Sequence, residues 1–202
     1  VTVAWSCSDA TSGIDGTCPA DSTVGGEGAN LGASASVSDH AGNSTGRTVD
    51  GIRIDRTAPT TTADVAAAPD SGWYAAPVEV TLHGSDNLSG VSVTRYSVDG
   101  GEPQRYDGAF TVSTDGPHEV TFWSRDAAGN VETAGAPLTF RIDRTAPVTT
   151  VINPISPDSG WFVTSGIPFA FDASDAQSGV AATYYTIDDG RSEEHTSELQ
   201  SH

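Results

Sequence analysis

The sequence predicts an all-β chain of tandem antiparallel β-sandwiches, and three observations carry that prediction. Apolar and polar residues alternate with a period of two, as in Val78, Val80 and Leu82 against Glu79, Thr81 and His83, the pattern of a strand with one buried face. Short alternating runs are separated by turns rich in Asp, Gly and Pro, and no stretch shows the period of an amphipathic helix. The chain also repeats itself: Ile54-Asp55-Arg56-Thr57-Ala58-Pro59 returns as Ile142-Asp143-Arg144-Thr145-Ala146-Pro147, 88 residues later.

The elements follow in order within the copy that runs from Thr57 to Arg144. Val78, Val80 and Leu82 form the first alternating strand. Val91-Ser92-Val93 leads into Thr94–Val98, which ends at the hairpin turn Asp99-Gly100-Gly101. Short β segments follow at Gln104–Tyr106 and Phe110–Val112, and Thr114-Asp115-Gly116-Pro117 reads as a turn. Glu119–Ser124 alternates through Val120 and Phe122, and Leu138, Phe140 and Ile142 close the copy. About seven short strands in one copy, with no helix, fit an Ig-like sandwich. Pro59 and Pro147, beside Thr-rich stretches, read as short stiff joints between copies.

Other motifs also recur, one of them again 88 residues later, and repeats of this kind decide the architecture. Pro69-Asp70-Ser71-Gly72-Trp73 returns as Pro157-Asp158-Ser159-Gly160-Trp161. The pattern Asp-x-x-Ser-Gly occurs at Asp9, Asp86 and Asp175, and Asp39-His40-Ala41-Gly42-Asn43 matches Asp126-Ala127-Ala128-Gly129-Asn130. The expected boundaries are 1–56 for a first copy without its opening strand, 57–144 for a complete copy, and 145–190 for a third that stops half-way. The missing Met and the Val1 start mark an expected window from a longer protein.

These motifs together, Asp-x-x-Ser-Gly-Val, Tyr96-Ser97-Val98-Asp99-Gly100-Gly101, Asp-x-Ala-Gly-Asn and Ile-Asp-Arg-Thr-Ala-Pro, resemble bacterial Ig-like repeats. The resemblance implies secreted or cell-surface location, or a place beside exported polysaccharide-acting enzymes. It implies modules that space, display or bind and do not catalyse. The first copy lacks the Tyr-Ser-Val-Asp-Gly-Gly hairpin.

Composition narrows the partners. The net charge is −18, with nine Arg, no Lys and 27 Asp plus Glu, which excludes a nucleic-acid binder because the surface repels phosphate. No apolar run has the length of a membrane span, and the start does not read as a signal peptide. The expected partners are neighbouring repeats of the same chain and, on the alternative reading, a cell-surface polymer or glycan.

Four constellations carry site expectations. Cys7 and Cys18 flank one turn, at the end of one strand and inside the next, and are expected to form a disulfide; two free thiols are the alternative. Asp39, Asp55, Asp86, Asp126, Asp143 and Asp175 are candidate calcium ligands near repeat junctions. The competing and preferred reading is that such Asp residues close their own turns by Asx hydrogen bonds, with Gly supplying the positive φ. Trp73 and Trp161 read as core or edge anchors, with sugar stacking as the alternative. Trp123, out of phase with Val120 and Phe122, is the better candidate for an exposed ligand-binding aromatic. No nucleophile elbow, zinc-protease motif or phosphate loop occurs, so no catalytic residue and no cofactor other than calcium is expected. His40, His83 and His118 are isolated and read as surface or turn residues.

Residues 191–202 break the composition, holding three of the eight Glu and two of the five His. They read as the translation of a common sequencing-adapter sequence, a non-native tail. The expected function is that of extracellular spacer repeats, with an adhesive or carbohydrate-binding module as the alternative.

Overall fold

The computed structural model describes residues 1–152, 157–163 and 166–186; the expected tail at 191–202 lies outside the described residues. The fold is all-β. The first strands are β1 (Thr2–Val3), β2 (Ser22–Thr23), β3 (Gly28–Ser38) and β4 (Ser44–Ile54). Seven follow: β5 (Thr60–Asp64), β6 (Val78–Ser85), β7 (Val91–Val98), β8 (Gln104–Arg105), β9 (Phe110–Val112), β10 (Gly116–Asp126) and β11 (Leu138–Ile142). β12 (Val148–Ile152) and β13 (Ala170–Ser174) complete the series.

β1 pairs with β2, β3 with β4 and β12 with β13, all antiparallel. The seven middle strands divide into a three-stranded sheet, β5-β6-β9, and a four-stranded one, β11-β10-β7-β8. The chain thus crosses between sheets after β6, β8 and β9, the split expected of an Ig-like sandwich. The β7 to β8 hairpin turns at Asp99 and Gly100, both at positive φ (52° and 70°), with the Gly101 N–H on the Val98 carbonyl at 2.9 Å. That is the primed turn an Asp-Gly pair favours.

By contacts the chain forms two compact units: Val1–Val65 with Val80–Phe110 and Glu119–Leu138, and Ala66–Glu79 with Thr111–His118 and the described residues from Thr139 onward. In the first, Val80, Leu82, Tyr96 and Val120 are buried. Tyr96 stacks on Phe110 at 3.8 Å between centroids, and the Leu82 N–H donates to the Tyr106 hydroxyl. Facing sheets meet here through a hydroxyl pair, Ser124 on β10 and Thr61 on β5 at 2.7 Å, and within its own sheet Ser124 also bonds Thr94 on β7 at 2.8 Å. Glu132 accepts the Thr61 and Ser124 backbone N–H groups. In the second unit Val78, Val112, Phe140 and Ile142 are buried, and Tyr74 meets Phe140 edge-on.

Several expectations need correction. Pro59 and Pro147, read as joints, lie outside the strands, and the Thr-rich stretches beside them are strands β5 and β12; β-branched Thr suits a strand, and Thr61 and Ala63 alternate inward along β5. The Thr114–Pro117 turn is shorter, because β10 starts at Gly116. Neither Cys7 nor Cys18 lies in a strand. His118 is a buried residue, 6% exposed: it shares the inward phase of Val120, and its Nε2 donates to the Thr114 carbonyl at 2.8 Å.

Candidate functional site

The Asp-x-x-Ser-Gly turn has one geometry in three places. Asp9 Oδ1 accepts the N–H groups of Thr11, Ser12 and Gly13. Asp86 Oδ2 accepts those of Leu88 and Gly90. Asp175 Oδ1 accepts those of Gln177 and Gly179. Each turn closes on a glycine at positive φ, 76° at Gly13, 81° at Gly90 and 79° at Gly179, where a Cβ is strained. The Asp-x-x-Gly-Asn turn is built alike: Asp39 accepts the Ala41 and Asn43 N–H groups and the Asn43 side chain. Asp126 accepts from Gly129, from Asn130 and from the Asn130 side chain. For Asp39, Asp86, Asp126 and Asp175 the Asx chemistry expected from sequence is therefore present.

Asp55 and Asp143 behave differently. They sit where a β-strand gives way to the Arg-Thr-Ala-Pro linker, and each reaches forward to a later turn. Asp55 Oδ2 accepts the Ser89 N–H at 2.9 Å, and Asp143 Oδ2 accepts the Ser178 N–H at 2.9 Å. Their other oxygens cap the linker at the Thr57 and Thr145 N–H groups. The same linkers are held from behind. Glu27 accepts the Arg56 N–H and the Thr57 hydroxyl; Asp115 accepts the Arg144 Nε–H and the Thr145 hydroxyl. Glu27 and Asp115 are 88 residues apart, so the repeat itself signals this pair, which the motif reading passed over.

Around the first linker the acids converge. Asp55, Asp86 and Asp126 each offer a carboxylate oxygen, and the three lie within 4.8 Å of one another. Asp126 is 1% exposed, and the other two are half-buried. The Asn130 amide ties the group to the linker, donating to the Asp55 carbonyl at 3.2 Å and to Asp126 Oδ2 at 2.7 Å. Burial opposes the charged form of Asp126, yet the Asn130 and Gly129 donors outweigh it and hold its carboxyl below the usual range. The Ser89 side chain, with the Ser89 and Thr57 N–H groups, lowers Asp55 against its partial burial. Asp143 and Asp175 meet Ser178 in the same manner, and Asp9 lies near Asp39; among the described residues neither pair gains a third acid.

The remaining candidates stand apart from this cluster. Trp123 is half-buried on the face of β10 opposite Val120, in register with Arg95. Trp73 is half-buried, with the Arg141 guanidinium 5.6 Å from its ring centroid. Trp161, expected to be an anchor like Trp73, is 79% exposed; among the described residues no strand equivalent to β11 lies beside it to supply a second Arg. Cys7 and Cys18 form a disulfide with Cα atoms 5.6 Å apart. His40 and His83 are exposed and face Asp15 and Asp64.

No protein-family model matches the chain, and comparison with curated proteins finds no match. Among solved structures, the chain is similar to fibronectin(III)-like modules of CbhA from Clostridium thermocellum, with 17% sequence identity and a TM-score of 0.30. The likeness covers 62% of this chain and 65% of that one, so this chain spans about two thirds of the length of the protein it matches.

Proposed function

We propose that the chain consists of non-catalytic spacer repeats from a larger exported or surface-anchored bacterial protein, with repeats at 1–56, 57–144 and 145–190. The observation that carries this reading is the linker held from both sides, twice, at the period of the sequence. Asp55 and Asp143 grip the following turn, while Glu27 and Asp115 grip the linker from the preceding segment. A connection that only tethers has no need of such bonds; one that transmits position does. The disulfide fits an oxidising location, and the acidic surface keeps an exported protein soluble.

The test is backbone ¹⁵N relaxation on the full chain, with tryptophan fluorescence followed during titration with soluble cell-wall glycans. Residues 55–59 and 143–147 are expected to show order parameters near the ~0.85 of rigid backbone, with fluorescence unchanged. Order parameters below about 0.6 at the linkers overturn the spacer reading. A saturable change in fluorescence that is lost in Trp123→Ala moves the assignment to a carbohydrate-binding module.

A further inference from the structure

We propose that Asp55, Asp86 and Asp126 bind one divalent cation, Ca²⁺, at the junction of linker and turns. The spacing suits the ion: oxygens bound to Ca²⁺ at 2.3–2.6 Å lie at most about 5 Å apart, and these three lie within 4.8 Å of one another. A second observation points to a ligand independently of the number of acids. Asp86 Oδ1 is closed to solvent and accepts no hydrogen bond, the one such side-chain atom among the described residues. Its partner oxygen is fully used by Leu88 and Gly90.

A buried carboxylate oxygen without a donor is costly, and local donors cannot relieve it. The Ser89 N–H is committed to Asp55, and the Gly129 and Asn130 N–H groups to Asp126. Among the described residues no Arg or His forms an ion pair with any of the three acids. Three carboxylates in a partly dry site therefore lack a counter-charge, and hard oxygen donors of this kind select Ca²⁺ over softer metals. The site would pin the strand end that carries Asp55 to the two turns that carry Asp86 and Asp126. This inference does not depend on the spacer reading, since cation binding and linker order are measured separately.

The full chain is melted in EDTA, in CaCl₂ and in NaCl of matched ionic strength, and calorimetric titration with CaCl₂ gives the stoichiometry. Ca²⁺ is expected to raise the melting temperature by about 5 °C or more over both other conditions, with one saturable ion per chain. Asp86→Asn should abolish the rise. In EDTA the same variant should melt at or above the wild type, because the amide keeps an oxygen for Leu88 and Gly90 while removing one of three like charges. Equal melting in EDTA and CaCl₂ overturns the site. So does a Ca²⁺ effect that survives Asp86→Asn, since that is counter-ion attraction to an acidic surface. Should Asp86→Asn fail to fold, Asp126→Asn is read by the same criteria.

Discussion

Asp143 Oδ2 accepts the Ser178 N–H at 2.9 Å across 35 residues of chain, repeating at the next linker what Asp55 does to Ser89 across 34. An aspartate that ends one strand is thus written into the turn of a later one. The serine of Asp-x-x-Ser-Gly supplies the donor, while the first Asp of that motif shapes the turn around it.

Asp143→Ala should therefore loosen the Ser178 turn while leaving strands outside it intact. Hydrogen exchange at the Ser178 amide is expected to accelerate on the order of tenfold, about the worth of one net hydrogen bond. Asp143→Asn, which retains one acceptor oxygen, should show a smaller change. Protection at Val120 serves as the internal control, and an unchanged Ser178 rate would rule the bond out as a restraint.

Acid should weaken the same contacts. Ionised Asp115 is favoured first by the Arg144 side chain and then by the Thr145 hydroxyl, and its carboxyl lies below the usual range. Asp9 is lowered chiefly by the Gly13 N–H, with Thr11 and Ser12 contributing, and Asp39 chiefly by the Asn43 side chain. A pKa lower in the folded than in the unfolded state adds stability that is complete above the unfolded value, about 4. It is lost as pH falls through that value to the lowered folded one. Urea midpoints in moderate salt, which screens the net negative charge, should be flat from pH 7 to 5 and fall below about pH 4. A midpoint that holds constant to pH 2.5 would contradict the assignment.

What the sequence made legible was whatever depends on local pattern. The alternation of Val78, Val80 and Leu82 identifies a buried strand face because side-chain direction has a period of two, and all three are buried. The Asx turns were legible because acceptor and donors lie within four residues. Burial of His118 was missed because its polar type was weighed above its phase, which is that of Val120. The gathering of Asp55, Asp86 and Asp126 depends on sheet topology, which brings a linker beside two distant turns, and the sequence names the acids without saying which will meet. Trp73 and Trp161 show the same limit: identical local motifs have different exposure because the cover on Trp73, Arg141, comes from another strand.

The disulfide should contribute to stability locally. Cys7 and Cys18 are 11 residues apart, and a ring of that size restricts the unfolded chain by about 2–3 kcal/mol in the loop-entropy account. The pair Cys7→Ser with Cys18→Ser should lose that much in urea unfolding followed by Trp5 fluorescence. Trp5 is a local reporter: its indole donates to Ser22, and its carbonyl faces the Cys18 sulfur. Thiol titration of unreduced wild type should find no free thiol, and finding two would remove the bridge.

Equivalent positions before two copies of one sequence motif should respond unequally to the same substitution. Val80 and Phe169 occupy the same place before the Asp-x-x-Ser-Gly turn, yet Val80 is 0% exposed and Phe169 is 57% exposed. Truncating Val80 removes methyl groups from a closed core and leaves a cavity, so Val80→Ala should cost about 2–3 kcal/mol. Phe169→Ala removes a ring already largely in water and should change stability by no more than about 0.5 kcal/mol, despite deleting far more volume. Burial, and not side-chain size or place in the repeat, sets this order. Chemical denaturation of the two variants, monitored by Trp123 for the first and Trp161 for the second, decides it, and a Phe169 loss equal to or above that of Val80 would overturn this order.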